Sequence, residues 1–419
     1  MHKIERLLQT LAPKGVEFKT LEEVFEIKKG YTPSKNNPEF WKNGTIPWFR
    51  MEDIRENGRI LKDSIQHITP KALKGKKLFP KNSIIISTTA TIGEHALLIV
   101  DSLANQQFTF LSKKANCDLA LDMKFFFYQC FLLGEWCKNN INVSGFASVD
   151  MTAFKKYKFP IPPLEIQQEI VKILDAFTEL NTELNTELNA RKKQYQYYQN
   201  MLLDFNDINQ NHKDAKMSVK TYPKRLKTLL QTLAPKGVEF RKLGEVINIL
   251  KGKQLNKELL LDYGEYPVMN GGIHASGYWN EYNTDYPKII ISQGGASAGY
   301  VNYMTSKFWA GAHCYTIELN SEKLNYKFLY YFLKNSQTIL MKSQFGAGIP
   351  ALNKADIETL TIPIPPLEIQ QEIVKILDQF LALTTDLLAG IPAEIKARKK
   401  QYEYYREKLL TFKPLQNKE

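Results

Sequence analysis

The 419-residue sequence has few of the residues and patterns that mark membrane, secreted and metal-binding proteins. It contains four cysteines and six histidines, with no C-x-x-C pair and no H-x-x-x-H pair. A structural zinc site or a disulfide framework is therefore not expected, and reduced thiols are the simpler interpretation. No apolar run approaches the ~20 residues that span a bilayer, and the first residues lack the apolar stretch of a secretory signal. We expect a cytoplasmic protein without a metal site.

Catalytic motifs are missing as well. The sequence has no G-x-x-x-x-G-K-[ST] phosphate loop and no G-x-G-x-x-G turn that would hold a dinucleotide or adenosyl group. The Asn-Pro-Pro-aromatic motif typical of amino-methyltransferases is absent, since both Pro-Pro pairs follow Ile and precede Leu. No serine–histidine–aspartate or paired-carboxylate arrangement can be argued from the spacing. The chain is predicted to have no catalytic residues and no cofactor of its own.

The charge balance favours a polyanionic partner. Lysine and arginine number 56 against 44 acidic residues, which gives a formal net charge of +12. Such an excess favours nucleic acid, because each neutralised phosphate releases condensed counterions. Hydrophobic residues make up 43% and charged residues 24%, as in soluble globular proteins.

Three blocks of sequence occur twice, and they predict the architecture. The repeated blocks are residues 7–18 and 229–240, 159–175 and 362–378, and 190–195 and 397–402, and they are identical except that Ile362 replaces Phe159. The offset falls from 222 at the first pair to 203 at the second, so the intervening segment is 19 residues longer in the first half. We interpret this as a duplicated scaffold that carries two divergent segments, with a pseudo-twofold internal repeat.

A long helix is predicted after each Ile-Pro-Pro segment, where proline suits a first turn. Apolar residues then alternate spacings of four and three, which is typical of a coiled-coil seam. The predicted seam comprises Ile166, Ile170, Ile173, Phe177, Leu180 and Leu184 in the first helix and Ile369, Ile373, Ile376 and Phe380 in the second. Gly390 and Pro392 are expected to bend the second helix.

The first helix contains Thr-Glu-Leu-Asn three times in succession, at residues 178–189. Four residues turn a helix by ~400° and lengthen it by ~6 Å, so each unit keeps its leucine on nearly one face. Two interpretations stay open: a spacer that sets a length, and an ordinary amphipathic helix that buries its leucines.

A basic cluster recurs near the end of each helix. Its cations could face phosphate or an acidic partner subunit, or they could form a solvated helix end, where cations are favoured. The residues concerned are Arg191, Lys192 and Lys193, and Arg398, Lys399 and Lys400.

The order of these segments resembles the specificity subunits of type I restriction–modification systems. The likeness covers essentially the whole chain: a variable region, the helix PIPPLEIQQEIVKILD, a polar linker, a second variable region, and a repeated helix ending in ARKKQYEYYREKLL. Within the variable regions, Ile46-Pro47-Trp48 and Ala90-Thr91-Ile92-Gly93-Glu94 are similar to the first recognition domain of that family, and residues 266–272 are similar to the second.

The resemblance implies an α+β protein in which two mixed α/β target-recognition domains are joined by two long conserved helices that form an antiparallel coiled coil. Each domain would bind one half of a bipartite, asymmetric site in double-stranded DNA. The expected divisions are residues 1–160 and 223–363 for the recognition domains, 161–205 and 364–412 for the helices, 206–222 for a linker and 413–419 for a tail.

The resemblance also implies partners. Two modification subunits would methylate N6 of adenine with S-adenosylmethionine, and two restriction subunits would use ATP and Mg²⁺ for translocation and cleavage. Those cofactors belong to the partner subunits. The family uses tetrapeptide repeats in the first helix to set the spacer between half-sites, which is what residues 178–189 resemble.

DNA contacts are predicted from residue type and from loops that follow buried strands. Side chains such as Arg, Asn, Gln, Ser and Thr can reach base edges, whereas lysines suit phosphates. The alternative is that these residues merely form turns and surface. The predicted base contacts are Arg50, Thr88, Thr89, Thr91, Asn105 and Gln106 in the first domain and Asn270, His274, Gln293, Ser297 and His313 in the second, with phosphate contacts at Lys74, Lys76 and Lys77.

Two other functions are compatible with the sequence. One is a stand-alone DNA-modifying enzyme with diverged motifs, and the other is a coiled-coil interaction scaffold without DNA affinity.

Overall fold

The computed structural model describes residues 2–142, 147–206, 222–346, 350–385 and 390–415. The chain divides into two compact units: unit 1 is Met1–Glu183 with Ile395–Glu419, and unit 2 is Leu184–Glu394. The predicted linker lies outside the described residues except for its two ends, as do the last four residues of the predicted tail. No helix of the described ranges is long and apolar enough to cross a membrane.

The helices follow the predicted framework. The long first helix is continuous over 40 residues, whereas the second is built from two helices on either side of residues 386–389, which lie outside the described part. Pro392 is the second residue of the later helix, in the first turn, where it is tolerated. In chain order the helices are α1 (His2–Leu11), α2 (Leu21–Val24), α3 (Met51–Asn57), α4 (Met123–Asn139), α5 (Met151–Lys156), α6 (Leu164–Leu203), α7 (Lys224–Leu233), α8 (Leu243–Val246), α9 (Tyr326–Asn335), α10 (Gln337–Lys342), α11 (Lys354–Glu358), α12 (Leu367–Thr385) and α13 (Ile391–Leu410).

Unit 1 contains a five-stranded sheet of order β2-β9-β6-β7-β4 and a three-stranded sheet of order β5-β3-β8. Two-stranded ladders join β1 to β12 and β10 to β11. The strands are β1 (Glu17–Thr20), β2 (Phe25–Lys29), β3 (Ile46–Phe49), β4 (Ile60–Leu61), β5 (His67–Ile68), β6 (Ile84–Ser87), β7 (His95–Leu98), β8 (Leu103–Ala104), β9 (Phe108–Lys113), β10 (Ile141–Asn142), β11 (Ser148–Val149) and β12 (Lys158–Ile161).

Unit 2 repeats this plan. Its sheets have the orders β14-β20-β17-β18 and β16-β15-β19, and β13 pairs with β21 as β1 pairs with β12. The two variable segments therefore share their strand order. The strands are β13 (Glu239–Lys242), β14 (Ile247–Lys251), β15 (Tyr266–Met269), β16 (Gly277–Trp279), β17 (Lys288–Ser292), β18 (Val301–Met304), β19 (Trp309–Ala310), β20 (Cys314–Leu319) and β21 (Thr361–Ile364).

The isoleucine runs in β6 and β17 form the centre of each main sheet. Successive side chains of a strand point to opposite faces, and Ile84 and Ile86 accordingly join the cluster around α4 and α6, whereas Ile85 joins a second cluster around Phe49. In β17, Ile290 likewise lies on the opposite side from its neighbours. Burial on both faces explains the uninterrupted apolar runs.

A helix pair completes each unit, and each pair combines segments from both halves of the sequence. In unit 1, Phe177 of α6 stacks on Tyr405 of α13, with ring centroids 5.6 Å apart. In unit 2, Phe380 of α12 stacks on Tyr198 of α6 at 5.1 Å. The start of α6 therefore pairs with the end of α13, and the end of α6 pairs with α12.

The buried stripe at the start of α6 includes a residue that the predicted seam lacks. Ile166 and Ile170 are fully buried together with Leu174, which the prediction omitted in favour of the half-buried Ile173. The three buried residues belong to the core cluster that also contains α4. A stripe with a spacing of three to four residues thus packs into the recognition domain as well as against the other long helix.

Equivalent hydrogen bonds link α4 to α6 in unit 1 and α9 to α12 in unit 2. In each unit a lysine and a tyrosine donate to one aspartate, and we call this group the polar joint. In unit 1, Asp175 accepts hydrogen bonds from Lys124 Nζ at 2.6 Å and from Tyr128 Oη at 2.7 Å. In unit 2, Asp378 accepts from Lys327 and Tyr331. Each residue lies 203 positions after its counterpart, so the offset of the PPLE block extends back into the variable segments.

A buried glutamine reinforces each joint. The amide group of Gln167 accepts from the Asp122 backbone N–H at 2.8 Å and donates to the Pro162 carbonyl at 2.7 Å. Gln370 makes the equivalent bonds to Asn325 and Pro365. Both glutamines are fully buried, so their amides are satisfied entirely by the protein.

The two ends of the chain meet in unit 1. The Val16 backbone N–H donates to the Lys413 carbonyl at 2.9 Å, and the Leu415 N–H donates to the Val16 carbonyl at 3.0 Å. Phe412 packs edge-on against Phe125 of α4, with centroids 6.3 Å apart. Residues from the end of the sequence therefore belong to the core of the first unit.

Candidate nucleic-acid interface

A cavity of about 990 Å³ lies in unit 1 where several loops converge. Its walls come from the segment after β2, the end of β3, the loop after β6 and the turn between β8 and β9. Four of the predicted base-contact residues line it: Arg50, Thr89, Asn105 and Gln106. Residues more than 50 positions apart in the sequence are thus brought to one polar surface.

Arg50 is held in place by its neighbours. Its backbone N–H donates to the Asp53 carboxylate at 2.6 Å, and the other oxygen of that carboxylate accepts from the Ile65 N–H, also at 2.6 Å. The guanidinium carbon lies 5.9 Å from the centre of the Trp48 ring. The Nε atom is buried without a hydrogen-bond partner, and Glu52 Oε2 is 3.8 Å away. The cation is therefore positioned but only partly neutralised.

The loop after β6 presents fewer side chains than predicted. Thr88 is buried and its hydroxyl bonds to Thr109 Oγ1 at 2.9 Å, so the prediction that Thr88 contacts bases is wrong for this conformation. The Thr91 hydroxyl accepts from Gln107 Nε2 at 2.7 Å. Thr91 thus supports the loop, whereas Thr89 lines the cavity.

The three predicted phosphate contacts are exposed but do not line this cavity. Lys76 Nζ lies 4.0 Å from the centre of the Tyr31 ring, and Lys74 Nζ lies 5.3 Å from the Phe40 ring. Two lysines that sequence reasoning missed, Lys35 and Lys42, do line the cavity. Both lie in the polar Ser-Lys-Asn-Asn-Pro segment or just after it, which was a detectable loop signal.

In unit 2, the equivalent surface brings Asn270 and His313 together. Asn270 Oδ1 accepts from the His313 backbone N–H at 3.1 Å. A Cβ added at Gly311 would lie 2.5 Å from that oxygen, so glycine is needed there. Gln293 joins them through its backbone N–H, which donates to the His313 carbonyl at 2.8 Å.

The other two predicted residues of unit 2 are less central. His274 is exposed between β15 and β16, and Ser297 is half-buried in the loop after β17. A smaller cavity of about 320 Å³ lies beside β14, where Lys251, Lys253 and Lys288 line it together with Asp285 and Glu318. Sequence reasoning did not single out these lysines.

Hydrogen bonds and register establish which positions of the two units correspond. Trp48 and Phe49 pair with Leu103 and Ala104 as Val268 and Met269 pair with Trp309 and Ala310. The Thr88 N–H donates to the Gln107 carbonyl as the Gln293 N–H donates to the His313 carbonyl. The same places in the fold therefore hold different side chains: Arg50 and Asn270, Thr88 and Gln293, Asn105 and Gly311, and Gln107 and His313.

Three buried titratable groups are held in their uncharged forms. Burial raises the pKa of the Cys314 thiol and of the Cys137 thiol to about 12. His95 is buried, and burial with the nearby Arg59 lowers its pKa to about 3. In the described ranges no three His, Cys, Asp or Glu side chains form a group that could hold a metal ion. The polar and charged side chains that line the two cavities can bind a ligand through hydrogen bonds and charge.

Comparison with known proteins gives a consistent result. A family model described as the type I restriction modification DNA specificity domain matches residues 13–194 and again residues 235–397. The specificity subunit of the type I restriction enzyme EcoprrI from Escherichia coli is 40% identical over 404 residues, which cover 92% of this chain and 93% of that protein.

Two solved structures share the fold. The S subunit of a type I restriction-modification system from M. genitalium matches with a TM-score of 0.55 at 21% identity, over 94% of this chain and 96% of that one. A chain from a structure described as concerning complex assembly and conformational transition of the type I R-M system matches with a TM-score of 0.61 at 19% identity, over 95% and 98% of the two chains.

Proposed function

We propose, given that this chain belongs to the type I restriction–modification specificity family, that it recognises an asymmetric, bipartite site in double-stranded DNA. Unit 1 would contact one half-site through the cavity lined by Arg50, Thr89, Asn105 and Gln106. Unit 2 would contact the other through the surface that contains Asn270, Gln293 and His313.

This proposal rests on one observation. The two units have the same fold, but they carry different side chains at corresponding positions. Arg50 in unit 1 corresponds to Asn270 in unit 2, and Gln107 corresponds to His313. Side chains with different donors and acceptors favour different base edges in the major groove. Two unlike half-sites, and hence an asymmetric target, follow from the unlike surfaces.

The chemistry would reside in partner subunits. We propose that two modification subunits bind this chain and methylate adenine with S-adenosylmethionine, and that two restriction subunits supply the ATP- and Mg²⁺-dependent steps. The lack of a recognisable adenosyl or phosphate loop in the sequence supports this division. The Thr-Glu-Leu-Asn repeats in α6 would set the number of base pairs between the half-sites.

Mapping of methylated adenines tests the proposal. Cells that express this chain together with modification subunits of its own system should methylate adenines in one asymmetric motif made of two short half-sites with a fixed spacer. This chain without those subunits should methylate nothing in the presence of S-adenosylmethionine. Methylation by the chain alone would show a stand-alone enzyme and contradict the proposal.

Binding to duplex DNA discriminates the remaining alternative. The complex should bind a duplex that carries the mapped motif more tightly than a scrambled duplex, and the affinity should fall steeply as salt increases. A complex that is indifferent to both duplexes, at low and at high salt, would indicate a coiled-coil interaction scaffold without DNA affinity.

A further inference from the structure

We propose that Arg50 and Glu52 together recognise one G·C base pair in the half-site of unit 1. This inference rests on the proposed function and names the base pair that one position of the cavity accepts.

The first argument is that the Arg50 backbone and the Trp48 ring near its guanidinium are both held by hydrogen bonds. Asp53 is fully buried and pins the Arg50 backbone N–H, as described above, so the side chain starts from a rigid point. The Trp48 ring beneath it is also fixed, because its Nε1 donates to the Tyr31 carbonyl at 2.9 Å and the ring of Trp41 packs edge-on at 5.0 Å. A planar guanidinium positioned in this way loses little freedom on binding, which favours a two-bond contact.

The second argument is the unused hydrogen-bonding capacity of Arg50. Its side chain is 31% exposed at the cavity, and Glu52 Oε2 lies 3.8 Å from its Nε, beyond hydrogen-bond distance. Arginine carries five N–H donors, so its exposed part favours a ligand that brings acceptors. Guanine offers two, N7 and O6, on one major-groove edge, and arginine donates to both at once.

The third argument is the carboxylate beside it. Glu52 also lines the cavity, and its Oε2 lies 3.8 Å from Arg50 Nε. A carboxylate repels phosphate, so the pair is not suited to the DNA backbone. It accepts from the N4 amino group of cytosine, which lies next to guanine O6 on the same edge. Donors on Arg50 and an acceptor on Glu52 therefore match the acceptor, acceptor and donor of one G·C pair.

The corresponding position of unit 2 is occupied differently. Asn270 carries an amide in place of a guanidinium, and its Oδ1 accepts from the His313 N–H. It therefore cannot repeat the contact in which arginine donates to both N7 and O6 of guanine. The inference is accordingly confined to unit 1, and it predicts that the half-site of unit 2 is unaffected by changes at residues 50 and 52.

The experiment measures the methylated motif for four variants in the complex with modification subunits. A library of duplexes with randomised sequence is methylated, and the modified adenines are mapped. Arg50→Ala should reduce the preference for G·C at one position of one half-site by roughly 5- to 150-fold, the range expected for one two-bond contact. Arg50→Lys, which can still donate to guanine, should keep part of that preference. Glu52→Gln should relax the same position. Arg55→Ala, on the exposed side of α3, removes an equal charge and should leave the motif unchanged.

Each outcome is decisive. Relaxation at one G·C position, with the other half-site intact, supports the inference, and the intact half-site shows that the variant is folded. If Arg50→Ala keeps the full motif, or slows methylation equally at all sequences, Arg50 does not contact a base and the inference is wrong. A wild-type half-site without an invariant G·C pair also overturns it. If the wild-type complex methylates no bipartite motif at all, the proposed function fails first.

Discussion

Removing one Thr-Glu-Leu-Asn unit from α6 should shorten the spacer between the half-sites and leave the half-sites themselves unchanged. The three units lie within a helix that is continuous from Leu164 to Leu203 and that passes from unit 1 into unit 2. Deleting residues 182–185 therefore changes the length of helix between the two recognition domains without touching either cavity.

The magnitude follows from helix geometry. Four residues correspond to ~6 Å of helix and ~400° of rotation, which is ~40° more than a full turn. On DNA, ~6 Å is slightly less than two base pairs at ~3.4 Å each, whereas ~40° is about one base pair at 10–10.5 base pairs per turn. We expect the spacer to shorten by one to two base pairs, and to lengthen by the same amount when a fourth unit is inserted.

The assay is the mapping of methylated adenines described above. Leu184→Ala is the matched control, because Leu184 is buried in the second unit and its truncation removes packing without changing the length of the helix. This control should destabilise the protein by ~2 kcal/mol and keep the spacer. Altered half-sites with an unchanged spacer in the deletion variant would refute the spacer hypothesis, and so would a shortened spacer in the control.

Three further predictions concern stability and reactivity. Asp175→Asn and Asp378→Asn should each destabilise their own unit by ~1–3 kcal/mol in urea unfolding, because each removes a charge-assisted joint; equal stability with the wild type would contradict the role of the joint. His95 has a folded-state pKa of about 3 against ~6.5 when unfolded, so protonation favours the unfolded state. Unit 1 should keep its full stability above pH ~6.5 and lose about 2 kcal/mol by pH 5, and His95→Val, which copies the corresponding Val301, should remove this loss. The half-buried Cys117 should react with Ellman's reagent before the three buried thiols, which should react only after unfolding; two or more rapidly reacting thiols in the native protein would contradict this.

The duplicated framework was accessible from sequence because it is nearly identical in the two halves. The correspondence inside the variable segments was not, because its offset changes along the chain. Thirty-four positions separate Arg50 from Ile84, whereas 19 separate Asn270 from Ile289, a difference of 15. Most of the 19 extra residues of the first half therefore form α3, β4 and the lysine-rich segment that precedes β6. Only strand register identifies Arg50 and Asn270 as equivalent.

The errors at individual residues also have physical causes. Ile166 and Ile170 repeat with helical spacing, but that spacing does not say whether the stripe faces a second helix or a domain core. Thr88 was predicted to contact bases because it follows a buried strand and threonine can reach base edges, yet its hydroxyl bonds to Thr109 on the neighbouring strand and the residue is buried. Lys35 and Lys42 were missed because their proximity to Arg50 arises from tertiary packing.

The meeting of the two chain ends in unit 1 has a consequence for biosynthesis. Unit 2 is complete once residue 394 has left the ribosome, although its sequence starts at residue 184. The core of unit 1 cannot be completed until residues 395–415 have been synthesised, because these residues belong to unit 1 and include the segment that bonds to Val16. The half that is translated first is thus finished last, which reverses the usual order in which N-terminal domains fold first during translation. A nonsense mutation near the C-terminus would leave the second recognition unit intact and the first one open.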